Sequence, residues 1–304
     1  PVMKRNNTEV YQSAEGRRLL HDLYRKHLLA LKVPLSEQMV ETCFGDTHVM
    51  YYGSPSGMPV MCFSGEWITN PLAMRPFIEG LDLRRLRLVA PDVPGGVGFS
   101  AEQRLQAAKY EYGQWAFQVM DSLGLRECAV LGYSWGANIA LQLCTEALLC
   151  VRRLLLVQPA GITKNLSLKV EKLMRMGDKH EEQLTDELLK KHLMPVLSFE
   201  HDDLIEMARI LFLHMKISKG DWKEFRKKDL HKFRAPVGLV ADKSDCLFPG
   251  EEVMKRARKI IPFLEMSNLT NLGCHFGLFK NDDYTREVMA SITDFLLRDV
   301  VDAR

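Results

Sequence analysis

The pattern of apolar and polar residues predicts an opening helix followed by a hairpin. Leucine and tyrosine recur at helical spacing from Ser13 to Lys32, which indicates one amphipathic helix. Met39 to Phe44 and Thr47 to Tyr52 then alternate apolar and polar positions on either side of Gly45-Asp46. Such alternation around a short polar turn predicts an antiparallel hairpin, which we expect at a sheet edge.

Short, largely apolar runs follow at intervals, separated by segments of helical spacing. Parallel sheets covered by helices on both faces need such strands, so the pattern predicts an α/β fold with a mostly parallel sheet. The predicted strands are Val60 to Phe63, Leu86 to Ala90, Cys128 to Leu131, Leu154 to Val157, Val237 to Ala241 and Phe263 to Leu269.

The strand rhythm stops between Gly161 and Phe233, where the chain is charged, rich in methionine and helical in spacing. We interpret residues 161–233 as a helical cap, residues 39–160 and 234–304 as the core, and residues 1–38 as a helical extension packed on that core. One apolar stripe in the cap comprises Leu204, Met207, Ala208, Leu211 and Met215.

Composition narrows the function classes. The 41 basic and 39 acidic residues give a net charge of +2, which argues against a nucleic-acid partner. No apolar run approaches the roughly 18 residues of a membrane span, and Pro1 to Asn7 lacks the apolar core of a signal peptide. Seven cysteines without a C-x-x-C pair indicate reduced thiols and no zinc site. We therefore expect a cytoplasmic protein without a bound metal.

A candidate nucleophile follows the strand at Cys128. The sequence Gly132-Tyr-Ser-Trp-Gly136 is a G-x-S-x-G turn placed between a predicted strand and a predicted helix. In this context the motif predicts a nucleophile elbow, with Ser134 projecting its hydroxyl beyond the sheet. The first amides of the helix then point at developing negative charge, so the Trp135 N–H is an expected oxyanion donor.

A nucleophilic serine needs a histidine to take its proton and an acid to orient that histidine. His275 is the candidate base because it lies in a glycine-rich loop, Gly273 to Gly277, after the last predicted strand. Asp242 and Asp245 both follow the preceding strand. Asp245 is preferred because it keeps a D-x-x-x-P spacing to Pro249, and Asp242 remains the alternative.

The second oxyanion donor is expected in the loop after the strand ending at Phe63. That loop reads Ser64-Gly65-Glu66-Trp67, and the backbone N–H of Glu66 is the best candidate.

Together these residues resemble the α/β-hydrolase superfamily, in particular its bacterial carboxylesterase-like branch with a helical cap, from about Met39 to the C-terminus. The resemblance implies a hydrolase without a cofactor, whose acyl pocket lies under the cap. Ser64-Gly65 stands where most relatives have His-Gly. The hydrogen bonding inside this loop, which carries the second oxyanion donor, is therefore expected to differ from theirs. The motifs that carry the resemblance are Pro59 to Gly65, Asp92-Val-Pro-Gly95, Gly132 to Gly136, Asp245 to Gly250 and Gly273 to Gly277.

The expected function is therefore hydrolysis of a small or medium carboxylic ester by a monomer or homodimer. The Ser-Trp-Gly elbow is also similar to that of proline iminopeptidases, but their His-Gly-Gly-Pro-Gly stretch is absent from this sequence. An aminopeptidase or amidase, a carbon–carbon bond hydrolase and a non-catalytic small-molecule receptor are the alternatives, because this fold hosts all of them.

Two further motifs have rival interpretations. Gly96 to Ala101 imitates a dinucleotide-binding fingerprint, but it follows a later strand, and Ser100 with Gln103 is typical of a capping box opening the next helix. Cys246 and Cys274 adjoin the proposed acid and base, so a redox effect on the site is a hypothesis beside that of inert, packed thiols.

Overall fold

A computed structural model describes residues 10–163, 173, 175–178, 181–217 and 222–298. Within these residues one sheet has the strand order β1-β2-β4-β3-β5-β6-β7-β8. β2 pairs antiparallel with β1 and β4, and the other neighbours pair in parallel. The predicted mostly parallel sheet is confirmed. Its strands are β1 (Leu35–Thr42), β2 (Gly45–Gly53), β3 (Met58–Phe63), β4 (Leu86–Pro91), β5 (Cys128–Tyr133), β6 (Val151–Val157), β7 (Val237–Asp242) and β8 (Leu264–Thr270).

Some of the α-helices begin at a residue whose side chain caps the first turn. The Ser13 hydroxyl accepts from the Gly16 N–H at 3.0 Å, and the Thr185 hydroxyl accepts from the Leu188 N–H at 3.2 Å, so each caps a first turn. The helices are α1 (Ala14–Ala30), α2 (Asn70–Gly80), α3 (Glu111–Ser122), α4 (Gly136–Glu146), α5 (Asp186–Leu197), α6 (Asp202–His214), α7 (Lys227–Leu230), α8 (Gly250–Ile260) and α9 (Asp283–Leu297). Short 3₁₀ segments span Ala107–Lys109, Arg175–Asp178, Glu181–Gln183 and Gly277–Lys280.

Two apolar layers cover the sheet, one on each face. On β5, Leu131 and Tyr133 pack in the layer that contains residues of α2 and α9. The alternate position Val130 packs in the other layer, with residues of α3, α4 and α8. Because successive strand side chains point to opposite faces, a strand buried on both sides must be apolar throughout, as β5 is.

The segment between β6 and β7 carries α5, α6 and α7. The residues before α1 are tied to the end of α6, since Gln12 N–H donates to the His214 carbonyl at 2.8 Å and Lys216 N–H to the Val10 carbonyl at 2.9 Å. Parts of the predicted cap, including Met174, lie outside the described residues. Across the described ranges, no helix is long and apolar enough to cross a membrane.

Two local predictions were wrong. The hairpin turns at Cys43-Phe44 rather than at Gly45-Asp46, because Gly45 already pairs with Thr42. The Thr42 hydroxyl also donates to the Gly45 carbonyl at 2.8 Å. Strand β1 begins at Leu35, which pairs with Tyr52 of β2.

No helix begins at Ser100 either. Its hydroxyl donates to the Asp92 carbonyl at 2.7 Å and accepts from the His48 N–H at 2.9 Å. These bonds hold the segment in a non-helical loop, and the next α-helix starts at Glu111.

Candidate active site

The turn at Ser134 joins β5 to α4 in a strained conformation. Ser134 has φ +55°, in the left-handed region that non-glycine residues rarely adopt. Its N–H donates to the Val157 carbonyl at 2.9 Å, and its own carbonyl accepts from Ala137 at 3.1 Å and Ala160 at 3.0 Å. These three bonds compensate the strain and fix the serine beyond the ends of β5 and β6.

Ser134, His275 and Asp245 form one hydrogen-bonded chain. The Ser134 Oγ lies 2.7 Å from His275 Nε2, and His275 Nδ1 lies 2.7 Å from Asp245 Oδ2. His275 is 1% exposed and Asp245 is 2% exposed, so water is excluded from the bond between them. With Nδ1–H donated to the carboxylate, Nε2 is left to accept the serine proton.

Asp245 is itself held by its loop. Its second oxygen, Oδ1, accepts from the N–H groups of Leu247 at 2.8 Å and Phe248 at 3.0 Å. These bonds leave Oδ2 directed at His275. Aromatic rings lie on two sides of the His275 ring. Its centroid is 6.1 Å from that of the stacked Tyr133 ring and 5.7 Å from that of the edge-on Phe248 ring.

Asp242, the alternative acid, occupies a different place. It bonds the chain around the end of β8, not the imidazole: Oδ2 accepts from the Thr270 hydroxyl at 2.8 Å and the Leu272 N–H at 2.5 Å, and Oδ1 accepts from Gly273 N–H at 3.2 Å. Of the two predicted aspartates, the structure therefore brings Asp245 to His275.

The two predicted oxyanion donors lie beside the serine. Trp135 is the N-cap residue of α4, where amides have no acceptor within the helix. Glu66 lines the same cavity as Ser134 and Trp135, and its carbonyl accepts from the Val97 N–H at 3.0 Å, which fixes the loop after β3. Both predicted donors therefore belong to residues that line the cavity at Ser134.

A cavity of about 170 Å³ opens at Ser134. Its walls are mostly apolar and come largely from the segment between β6 and β7. Among the residues that the structure describes, neither lysine nor arginine lines it, and Glu66 is the one carboxylate that does. Six of its wall residues on α5 and α6 are Leu193, Val196, Leu204, Met207, Leu211 and Phe212.

Known structures share this architecture. Carboxylesterase CesB of Bacillus subtilis superposes with a TM-score of 0.80 at 18% identity, over 93% of this chain and 99% of that one. The meta-cleavage product hydrolase CumD of Pseudomonas fluorescens IP01 gives 0.66 at 15% identity, over 84% of this chain and 97% of that one. The chain has the α/β-hydrolase fold. The resemblance seen in the sequence is thereby confirmed at the level of the fold.

Sequence similarity is more limited. A 2-hydroxymuconate semialdehyde hydrolase of Pseudomonas putida is 32% identical over 110 residues, which cover 35% of this chain and 38% of that protein. The chain thus matches well under half the length of this curated relative. No family model matches the sequence.

On this α/β-hydrolase fold, sequence reasoning missed several cavity residues. The stripe on α6 was recognised, and Leu204, Met207, Ala208 and Leu211 line the cavity, whereas Met215 is buried outside it. The aromatic walls were missed because they come from separate elements with no common spacing. The missed residues are Tyr133, Phe212, Trp222, Phe248 and Phe276.

Proposed function

We propose that this protein is a serine hydrolase that cleaves a small or medium carboxylic ester through an acyl-enzyme. The observation that carries the proposal is the hydrogen-bonded chain from Ser134 Oγ through the buried His275 to the buried Asp245, with two contacts of 2.7 Å. A serine hydroxyl becomes a competent nucleophile when an oriented imidazole removes its proton, and this arrangement provides that imidazole.

The reaction has two halves. Ser134 Oγ attacks the ester carbonyl as His275 Nε2 takes the hydroxyl proton, and the oxyanion is bound by the Trp135 and Glu66 amides. Collapse of the tetrahedral intermediate breaks the bond to the alkoxy oxygen, which leaves as the alcohol with the proton from His275. A water molecule then attacks the acyl-enzyme by the same route and releases the acid and free Ser134.

The cavity favours a neutral, apolar acyl group. Leu204, Met207 and Leu211 present hydrocarbon surface there, and burial of apolar surface contributes about 25 cal/mol per Å². A charged group would lose its hydration without gaining a cation among the described wall residues. An ester with an aliphatic or aromatic acyl chain therefore fits better than a carboxylate-bearing one.

A carbon–carbon bond hydrolase is the second candidate. It is supported by the similarity to 2-hydroxymuconate semialdehyde hydrolase and by the shared fold of CumD. 2-Hydroxymuconate semialdehyde carries a carboxylate, which suits the apolar wall of the cavity poorly. For that reason we place ester hydrolysis first.

The nucleophile is tested by a burst assay with p-nitrophenyl acetate and butyrate on the wild type and Ser134→Ala, followed by mass spectrometry of the acylated peptide. We expect turnover and an acyl label on Ser134 in the wild type alone. Absence of both burst and label would favour a receptor or a non-ester substrate. Turnover retained by Ser134→Ala would contradict the proposed nucleophile.

The acyl preference is tested with two esters of equal chain length, p-nitrophenyl butyrate and the p-nitrophenyl monoester of succinate. They differ by a terminal carboxylate, so the ratio of their kcat/KM values isolates the charge. We expect the neutral ester to be preferred by about 100-fold or more, because an unpaired buried charge costs several kcal/mol. Efficient cleavage of 2-hydroxymuconate semialdehyde, with butyrate ester turnover weak, would instead favour the second candidate.

A further inference from the structure

The loop that carries His275 is anchored by a carboxylate outside the Ser134–His275–Asp245 chain. Asp242, at the end of β7, is fully buried and accepts four hydrogen bonds. Two reach its Oδ1, from Ser244 N–H at 2.9 Å and Gly273 N–H at 3.2 Å. Two reach Oδ2, from the Thr270 hydroxyl at 2.8 Å and the Leu272 N–H at 2.5 Å.

These bonds join two loops whose relative position decides the His275–Asp245 contact. Ser244 precedes Asp245 directly, whereas Leu272 and Gly273 lead into His275. The Asp242 carboxylate therefore bridges the chain that supplies the acid and the chain that supplies the base. The four donors are uncharged, so the buried carboxylate is satisfied by hydrogen bonds from both loops at once.

The His275 loop needs such an anchor because its backbone is irregular. Gly273 has φ +89°, a left-handed conformation, so the extended backbone of β8 does not continue into this loop. On its far side the loop is held by α5, where the Cys274 thiol donates to the Leu197 carbonyl at 2.7 Å. Asp242 thus attaches the start of this loop to the core. The core also holds the loop farther along, through Gln158 Nε2, which donates to the Cys274 carbonyl at 3.0 Å, and the Tyr133 hydroxyl, which donates to the His275 carbonyl at 3.4 Å.

We propose that Asp242 is a positioning residue, which sets the distance between His275 and Asp245 without touching the substrate. The proposal rests on the function proposed above. Reacting groups displaced by about 1 Å can lose about 100-fold in rate, so an anchor shared by the two loops has a direct kinetic consequence. Asp242 acts on the turnover step, because it does not line the cavity that binds substrate.

The test is Asp242→Asn, which keeps the side-chain shape but replaces one acceptor oxygen with an NH₂ donor facing backbone N–H groups. We expect kcat for p-nitrophenyl butyrate to fall about 10- to 100-fold with KM nearly unchanged. Fluorophosphonate labelling of Ser134 should slow in proportion. Thr270→Val removes one of the four donors to Asp242, so its kcat should lie between those of the wild type and Asp242→Asn.

A stability control separates positioning from general destabilisation. Thr47→Val leaves the buried Trp115 indole N–H without its 2.9 Å acceptor in β2, distant in sequence from both loops. It should lower the unfolding midpoint without lowering kcat of the folded protein. Equal kcat losses in Thr47→Val and Asp242→Asn, at equal loss of stability, would overturn the proposal.

A spectroscopic readout keeps the test independent of turnover. The proton shared by His275 Nδ1 and Asp245 Oδ2 should give a far-downfield proton resonance in the wild type, and Asp242→Asn should shift or broaden it. An unchanged resonance with unchanged kcat would refute the anchor. If wild type shows no ester turnover but Asp242→Asn still alters the resonance, the anchor stands and the proposed function fails. Activity retained in Asp245→Asn and abolished in Asp242→Asn would make Asp242 the acid and would overturn the positioning role.

Discussion

Gly136 lies so close to the carbonyl of Phe63 that a Cβ on the glycine would stand 2.1 Å from that oxygen. On the strand side of the elbow, a Cβ on Gly132 would stand 2.5 Å from the Ala137 Cα. Both obstacles are backbone atoms or Cα, which cannot move aside as a flexible side chain can. Gly136 therefore allows α4 to start directly against β3, and Gly132 allows α4 to pack closely on β5. These two contacts hold Ser134 in its strained turn.

Gly136→Ala should therefore disrupt the elbow. We expect the free energy of unfolding to fall by about 3 kcal/mol, because a methyl group is forced into a packed backbone contact. Gly65→Ala is the matched control in the neighbouring loop, since its Cβ would meet its nearest atom, Trp135 Cβ, at an ordinary 3.8 Å. Urea unfolding of both variants checks the difference, and equal midpoints would contradict this account of the elbow.

Asp245→Asn should abolish most turnover while leaving the fold intact. The amide has the shape of the carboxylate but favours the wrong tautomer of His275, and in a comparable triad this change lowers kcat by about 10⁴-fold. Ser244→Ala is the control, because Ser244 is exposed and reaches Asp242 through its backbone N–H. Steady-state kinetics on p-nitrophenyl butyrate measure both. Near-normal kcat in Asp245→Asn would remove Asp245 from the proposed mechanism.

The fold was largely predictable because its signals are local and repeated. Strand β5 is apolar at every position and is followed by Gly132-Tyr-Ser-Trp-Gly136, a sequence that few backbones other than a strand–turn–helix can accommodate. The position of His275 was predictable for a related reason, since a glycine-rich loop after the last strand must lie at the carboxyl edge of the sheet.

The remainder depends on contacts between distant segments. The spacing to Pro249 favoured Asp245 over Asp242 as the acid. The four hydrogen bonds that Asp242 accepts form only when β7 and β8 pair, and no sequence motif predicts them. Ser100 was misread for the same reason: its hydroxyl bonds to the Asp92 carbonyl and the His48 N–H from other parts of the chain. A side chain that can cap a helix can equally well bind a neighbouring loop.

Cys274, which adjoins the proposed base, should be unreactive or slow to react. Burial raises the pKa of the Cys274 thiol, which donates to the Leu197 carbonyl, so little thiolate is present at neutral pH. Cys43 is exposed and should react first with iodoacetamide. We expect peroxide to leave ester turnover unchanged in the wild type and in Cys43→Ser. Reversible inactivation that disappears in Cys246→Ser or Cys274→Ser would instead support a redox effect on the site.

His27 on α1 should make the protein less stable in mild acid. It is 1% exposed, and its Nδ1 lies 2.8 Å from the Thr69 hydroxyl. Burial lowers the pKa of His27 from 6.5 to about 4, and the nearby Arg75 also lowers it, while Asp203 and Glu206 oppose the shift. Those two carboxylates are engaged by cations, Asp203 by Arg75 at 2.6 Å and Glu206 by Lys26. Folding therefore favours the neutral imidazole.

The direction of the pH effect follows from that lowered pKa. Above about pH 6.5 His27 is neutral in both the folded and the unfolded protein. Between pH 6.5 and about 4 it is protonated in the unfolded chain but stays neutral in the folded protein. Stability should fall across this window by up to about 3 kcal/mol from His27, at about 1.4 kcal/mol per pKa unit. His27→Gln should flatten the fall in urea midpoint between pH 7.5 and about 4.5, whereas the exposed control His231→Gln should not. An undiminished slope in His27→Gln would show that other groups, such as His21 or His201, whose pKa values burial also lowers, cause the acid sensitivity.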